Sequence, residues 1–330
     1  MNHPFLGRTG LRISPLVMGT MSFGGDADSA TSEALFRRAL DAGINTFDCA
    51  NVYAKGRSEE LLGQFSKGLR DQLVLTTKAY FPTGPGPNER GSSRYHLIQS
   101  VEASLKRLGT DRIDIFFLHR WDESSDLEET LRGLELLVRA GKIVYPAVSN
   151  FSAWQSMKAL GCAKTLGFSP IVATQPMYNL AKRQAEVEIL PMAQSEGIAV
   201  LPYSPLGGGL LSGKYGKKSR PHTGRLVDNA MYTTRYGAEK NYQLAEDFSA
   251  LAAELKVHPV SLAIAWVASH PAVTAPLIGA RNLEQLEPAL AAMEVDMDSE
   301  LRQRISALST APPPATDRNE ESSRHNYGSR

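Results

Sequence analysis

Eight short β-branched or apolar runs, each followed by a longer amphipathic stretch, predict an α/β fold: a closed parallel (β/α)8 barrel. Two further observations narrow the choice. No G-x-G-x-x-G occurs in the sequence, which disfavours a doubly wound dinucleotide-binding sheet. The 330 residues fit one such barrel, and no linker divides them.

Taken in order, the first strand is expected at Pro15–Gly19 ("PLVMG") and its helix at Ser29–Ala42. "NTFD" at Asn45–Asp48 and "LVLTTK" at Leu73–Lys78 follow, separated by a helical pattern at Ser58–Gly68. After the helix at Arg94–Leu108 comes the strongest strand signal, "IDIFFLH" at Ile113–His119. The helix at Leu127–Ala140 carries a broad apolar stripe of Leu127, Thr130, Leu131, Leu134, Leu136 and Leu137, with Gly141 placed to cap it. "IVYPAVS" at Ile143–Ser149 and "IVATQ" at Ile171–Gln175 flank a helix at Ala153–Gly167. A helix at Gln184–Ser195 leads to "AVLPY" at Ala199–Tyr203. The last unit is a helix at Ser261–Ser269, "VTAPLIG" at Val273–Gly279 and a helix at Asn282–Met293.

Three segments interrupt this rhythm. Phe81–Gly91 is a Pro/Gly loop after the third strand. Ser204–Lys240, after the seventh, far exceeds the usual ~2–6 residues of a βα loop, as lids and binding loops do. Residues 311–330 form a polar, Pro-rich stretch expected to be a flexible tail, leaving residues 1–310 as the single barrel domain.

Composition bounds the partners. With 42% hydrophobic residues, 22% charged residues and a net charge of +1, the chain has no electrostatic case for nucleic acid or an anionic membrane. The start, "MNHPFLGRTG", lacks the pattern of a signal peptide, and Cys49 and Cys162 make no disulfide framework. The expected compartment is the cytoplasm. The histidines are scattered without metal-ligand spacing, so no metal site is expected. Nothing in the sequence fixes an oligomeric state.

On a barrel, the C-terminal ends of the strands converge on one mouth. Asp48 ends the second strand with Tyr53 five residues on, Lys78 ends the third and His119 the fourth. A Lys ammonium beside a phenol is expected to lower the phenol's pKa, and burying that Lys requires a partner such as Asp48. His119 can donate a hydrogen bond to a carbonyl oxygen. This set handles a proton at oxygen without a metal. "GGLLSGKY" at 208–215 satisfies G-x-x-x-x-G-K but continues with Tyr215, so it lacks the hydroxyl of a P-loop.

The pieces "FDCANVY", "TTK", "DRIDIFFLHRWD" and "AVSNFS", in this order, resemble the aldo-keto reductases, from "LGRTGLRISPLVMGTMSFG" to "LIGARNLEQL". That resemblance implies a TIM barrel and an oxidoreductase that reduces aldehydes or ketones with NADPH. It implies Asp48, Tyr53, Lys78 and His119 as the catalytic tetrad, with Tyr53 as general acid. It also implies cofactor contacts from Gly19, Thr20, Met21 and Asp48. Ser149, Asn150 and Gln175 would hold the nicotinamide carboxamide, and Tyr203 would stack on the ring. Ser204, Leu206, Gly208 and Lys214 would meet the pyrophosphate. Gly279, Arg281 and Gln285 would meet the adenosine phosphate, where a guanidinium suits a 2′-phosphate. Pro288 and Ala289 stand where the family often has an Asn after a Glu. The substrate, a small carbonyl compound, is expected against Met21, Tyr53, Tyr80, Phe81, His119 and Trp121, with barrel-rim packing an equally open reading of Trp121.

Two alternatives stay open. One is an NAD(P)H-binding partner subunit like the β-subunits of voltage-gated potassium channels, which resemble this family. The other is a Schiff-base lyase with Lys78 as nucleophile, which pairing with Asp48 disfavours.

Overall fold

The structure is a computed structural model and describes residues 3–316. Eight parallel strands run in sequence order: β1 (Val17–Gly19), β2 (Thr46–Asp48), β3 (Val74–Ala79), β4 (Ile113–Leu118), β5 (Ile143–Ser149), β6 (Ala173–Gln175), β7 (Ala199–Val200) and β8 (Leu277–Ile278). Each pairs with its sequence neighbour, and β8 pairs with β1. The ring closes where Thr274 N donates to Val200 O (2.9 Å) and Leu277 N donates to Pro202 O (2.9 Å).

Helices α1 (Ser29–Asp41), α2 (Arg57–Ser66), α3 (Arg94–Leu108), α4 (Leu127–Arg139), α5 (Ala153–Leu166) and α6 (Ile189–Glu196) alternate with the strands. Between β7 and β8 lie α7 (Arg225–Asp228), α8 (Ala230–Tyr236), α9 (Glu239–Glu254) and α10 (Pro259–Ala268). After β8 come α11 (Leu283–Leu290) and α12 (Ser299–Ser306). Their starts follow capping chemistry: Asp28, Ser93, Asp126 and Ser152 each accept from a first-turn N–H, and Ser152 with Gln155 completes a capping box.

The strand pleat sorts residues by parity. Val17, Val74, Ile115, Phe117, Ala147, Ala173 and Ala199 point inward and pack in the barrel interior. The alternate residues Phe47, Leu75, Phe116, Leu118 and Val148 face the helices, where Phe36 of α1 packs on Phe47 at 4.6 Å. An N-terminal turn, bridged antiparallel between Phe5 and Arg12, drives fully buried Leu6 and Ile13 into the interior cluster. One end of the barrel is thereby plugged with hydrocarbon, and the inward positions at the strands' C-terminal ends are free for chemistry.

Several elements depart from the sequence expectation, each for a local reason. The predicted helix over Gln184–Ser195 is instead a single 3-10 turn at Gln184–Glu186 followed by α6. Pro191 has no N–H and fits only the first turn of a helix, which forces that restart. β7 and β8 shrink to two residues each because Pro202 and Pro276 lack ladder donors. The long segment after β7 contains α7 and α8, and α9 was hidden behind it. Helix α12, also unforeseen, is pinned by Arg302, which donates to Ser269 Oγ (2.7 Å), and by Trp266 Nε1, which donates to Ser306 Oγ (3.0 Å). Of the expected tail, residues 311–316 are without regular structure and 317–330 lie outside the described residues. Among the described residues no single helix is long and apolar enough to cross a membrane.

Candidate active site

The parity that fills the barrel with hydrocarbon at one end delivers polar groups at the other. Lys78 and Asp48 occupy inward positions on neighbouring strands and are 0% and 2% exposed. Lys78 Nζ lies 2.5 Å from Asp48 Oδ2 and donates to Cys49 O at 2.6 Å. Asp48 Oδ1 accepts from Thr76 Oγ1 (2.7 Å) and from Gln175 Nε2 (3.0 Å). Each charge therefore has its partner and its remaining hydrogen bonds, the condition under which a buried pair is tolerated.

Tyr53 opens a single 3-10 turn just past β2. Ala54 (φ 46°), Lys55 (φ 56°) and Gly56 (φ 91°) are all left-handed, a conformation costing an ordinary residue about 1–2 kcal/mol. Buried Glu59 braces the turn, accepting from Thr77 Oγ1 (2.6 Å) and Arg107 Nε (2.6 Å). The result brings Lys78 Nζ to 5.2 Å from the Tyr53 ring centroid, with the ring edge-on to His119 at 6.2 Å.

The expectation that Lys78 lowers the Tyr53 pKa is corrected here. Burial, and then the charge of Asp48, raise it well above the usual tyrosine value. Lys78 is committed to Asp48, and in this dry site the phenol feels the carboxylate more than the ammonium. Tyr53 consequently carries its proton at neutral pH, as a proton donor must.

His119 follows β4 directly, and its backbone N donates to Ala79 O at 3.0 Å. Phe81 packs edge-on against its ring at 4.8 Å. Burial, reinforced by the Lys78 charge, lowers its pKa to about 3. Its Nδ1 is enclosed and unpartnered, so Nε2 is the nitrogen that opens on the cavity. A proton on Nε2 leaves Nδ1 as a bare lone pair rather than an orphaned donor. His119 is thus a neutral hydrogen-bond donor.

A pH prediction follows. The unfolded chain binds a proton at His119 near pH 6.5 that the folded chain refuses until about pH 3. Its contribution to stability is therefore complete above ~6.5 and is lost as pH falls through that window, by at most about 1.4 kcal/mol per pH unit. Thermal melts of wild type and His119→Gln at about pH 7 and pH 4 check this: the wild type is expected to lose more stability on acidification. Equal losses would place the imidazole in a solvated environment.

Asp48, Tyr53 and His119 border a cavity of about 1020 Å³ at the C-terminal ends of the strands, with Lys78 fully buried behind Asp48. Gly19, Ser149, Gln175, Tyr203 and Gly279 reach it from the strand ends, and Met21 and Phe81 from the loops beyond. Ser204, Leu206, Gly208 and Lys214 border it from the segment after β7, with Arg281 and Gln285 on the β8 side. Besides Lys78, three expected residues do not border it. Thr20 is buried beneath, donating to Asp48 O at 3.0 Å. Tyr80 packs edge-on to Phe81 at 5.3 Å. Trp121 lies beyond the end of β4, outside the pleat that aims side chains inward, and packs between Phe151 (5.2 Å) and Trp154 (5.5 Å). Sequence reasoning in turn missed Val52, Arg120, Met231, Tyr232 and Arg235, which do border the cavity. Val52 adjoins Tyr53 and Arg120 adjoins His119, so both were discoverable; Met231, Tyr232 and Arg235 sit on α8, which no motif marks.

The inner polar arc is tightly wired. Asn150, left-handed at φ 56°, donates through Nδ2 to His119 O (3.0 Å) and Ser149 Oγ (3.1 Å). Its Oδ1 accepts from Tyr203 Oη at 2.7 Å, and burial raises the Tyr203 pKa to about 12. Tyr203 is thereby held as a fixed aromatic platform. Gly208 (φ 69°) has no substitute: a Cβ there would stand 2.6 Å from Tyr232 Cδ1.

At the β8 side, Asp26 Oδ2 lies 3.0 Å from Arg281 Nε and 3.9 Å from Arg225. Burial, and then the charges of Arg281 and Arg225, lower the Lys214 pKa. Three cations around one carboxylate make this end of the cavity suited to phosphate. Among the described residues no cluster of His, Cys, Asp or Glu is placed to hold a metal.

Comparison with known proteins agrees with this geometry. A family model described as the aldo/keto reductase family matches residues 15–310. An uncharacterized oxidoreductase, YrpG, of Bacillus subtilis is 39% identical over 326 residues, covering 94% of this chain and 97% of that protein. A probable voltage-gated potassium channel subunit beta of Arabidopsis thaliana is 36% identical over 307 residues, covering 89% and 92%. One with the same description from Oryza sativa is 35% identical over 331 residues, covering 96% and 99%.

Proposed function

The chain belongs to the aldo/keto reductase family, and from that premise we propose that it is an NADPH-dependent reductase of aldehydes or ketones, with Tyr53 as general acid. The observation that carries the proposal is the convergence on one cavity of a protonated phenol and a neutral imidazole above a buried Lys–Asp pair. When bound, the dinucleotide supplies a hydride to the carbonyl carbon. Tyr53 donates its proton to the carbonyl oxygen as negative charge develops there. His119 donates a hydrogen bond from Nε2 to the same oxygen and orients it. Lys78 and Asp48 keep a fixed dipole beneath the phenol. Tyr203 would support the nicotinamide, with Ser149, Asn150 and Gln175 placed to hold its carboxamide. Both ends of the Asn150 amide are already bonded within the protein, but a carbonyl oxygen accepts twice, so Oδ1 has a lone pair for this contact.

Residues at the β8 side fit a phosphate-bearing cofactor, because Arg225 and Arg281 share the single carboxylate Asp26 and Lys214 adds a third positive charge near them. A free guanidinium edge on Arg281 favours NADPH over NADH. The deciding experiment combines fluorescence titration with NADPH and NADH with a panel of aldehydes and ketones. NADPH is expected to bind more tightly and to be oxidised only when a carbonyl compound is present. Tight binding without turnover on any member would leave the reductase reading without support.

That outcome would favour a second reading, a partner-binding subunit, which draws on the plant relatives and on the exposed Trp154 and Tyr95, each 60% exposed. The Schiff-base alternative fares worse. Lys78 Nζ is enclosed and committed to Asp48 and Cys49 O, so it offers no lone pair to a carbonyl in the cavity.

A further inference from the structure

We propose that the preferred substrate is an anionic carbonyl compound, one bearing a carboxylate or phosphate, gripped by Arg120 and Arg235 at the reacting end of the cavity. This rests on the reductase reading above.

Both arginines border the cavity, Arg120 from the residue after His119 and Arg235 from the last turn of α8. One hydrogen-bonded pair joins their surroundings. Asn150 donates to His119 O, one residue before Arg120, and accepts from Tyr203, whose phenol feels the positive charge of Arg235. The two guanidiniums thus belong to the β4, β5 and β7 part of the rim. Arg120 stands across the ring from β8 and its phosphate-suited cluster, whereas Arg235 shares the Tyr232 ring with Arg225 of that cluster, each guanidinium carbon 5.6 Å from the centroid.

Neither arginine is neutralised by the protein. No ion pair or hydrogen bond among the described residues engages Arg120 or Arg235, whereas Arg225 and Arg281 share Asp26. Two carboxylates border the cavity: Asp48, committed to Lys78, and Glu284, on α11. Arg235 is half-buried against the Tyr232 ring, with its guanidinium carbon 5.6 Å from the centroid. A guanidinium fixed in this way keeps its planar edge for an oxyanion and attracts it more strongly than a solvated lysine does. Half-buried Val52 and Phe81 border the same cavity, whereas Met21, Met231 and Arg120 are exposed at its rim. The layout is a proton donor at the carbonyl and an anion grip beyond it.

The test compares aldehydes of equal size and different charge. The wild-type protein is expected to reduce 4-formylbenzoate with a kcat/KM at least about tenfold above that for 4-formylbenzamide, a gain of about 1.4 kcal/mol carried mainly by KM. Glycolaldehyde phosphate against glycolaldehyde provides the phosphate arm, and the larger ratio identifies which anion the grip fits. Independently of turnover, calorimetry should detect terephthalate binding to the NADP⁺-saturated protein, weakened at least about tenfold in the Arg120→Gln/Arg235→Gln double variant. The same variant should bring both charge ratios close to one. Neutral aldehydes reduced as well as their charged counterparts by the wild type would overturn this inference alone. So would unchanged ratios in the double variant. Reduction of no aldehyde in either series would overturn the reductase reading along with it.

Discussion

Tyr53→Phe is expected to lower kcat/KM for carbonyl reduction by ~10²–10⁴-fold while NADPH binds as in the wild type. The substitution removes one oxygen and keeps the ring that packs edge-on to His119, so the cavity wall survives. What it removes is the protonated hydroxyl that burial and Asp48 maintain. His119 cannot take over the transfer, because an imidazole with a pKa of about 3 holds no spare proton at neutral pH. Stopped-flow turnover with one aldehyde, beside a fluorescence titration of the cofactor, separates chemistry from binding. A variant that turned over at near wild-type rates would remove Tyr53 from the proton-transfer step.

The second large effect concerns the buried pair. Lys78→Met strands the Asp48 carboxylate without its cation, and Asp48→Asn strands the ammonium, so each single change should cost roughly 3–5 kcal/mol of unfolding free energy. The double variant Asp48→Asn/Lys78→Met removes both charges and should cost clearly less than the sum, by a coupling of at least about 1 kcal/mol. Urea denaturation of the four proteins measures this directly. Strict additivity would mean that the 2.5 Å contact contributes nothing specific to the folded state. All three variants should be poor catalysts, since the fixed dipole beneath Tyr53 is gone in each.

Much of this site could be read along the strands. Asp48, Lys78, His119, Ser149 and Gln175 each end or follow an apolar run, and the pleat then obliges them to face the same mouth. Local alternation carries that information, so no three-dimensional knowledge was required. Arg120, Met231 and Arg235 carry no such signal. Their places depend on how the β4 loop and α8 pack over the barrel, a matter of contacts distant in sequence. The direction of the Tyr53 shift was equally hidden. The strand ends already offered Asp48 as the partner of Lys78, but only the depth of burial around Tyr53 reveals that desolvation and the Asp48 charge outweigh the ammonium at the phenol. Trp121 was open between a pocket wall and a rim-packing residue, and Phe151 and Trp154 give it the second seat.

The inward and outward alternation of β3 has a consequence for how such a protein can change. Sliding that strand by one position would put Thr77 or Ala79 where Lys78 stands and turn the ammonium toward the hydrocarbon beneath the helices. Insertions and deletions are therefore barred from the segments that handle the proton. Phe81, Arg120, Met231 and Arg235 hang outside that frame, so evolutionary drift can rewrite which molecule is admitted while the reaction itself is inherited unaltered.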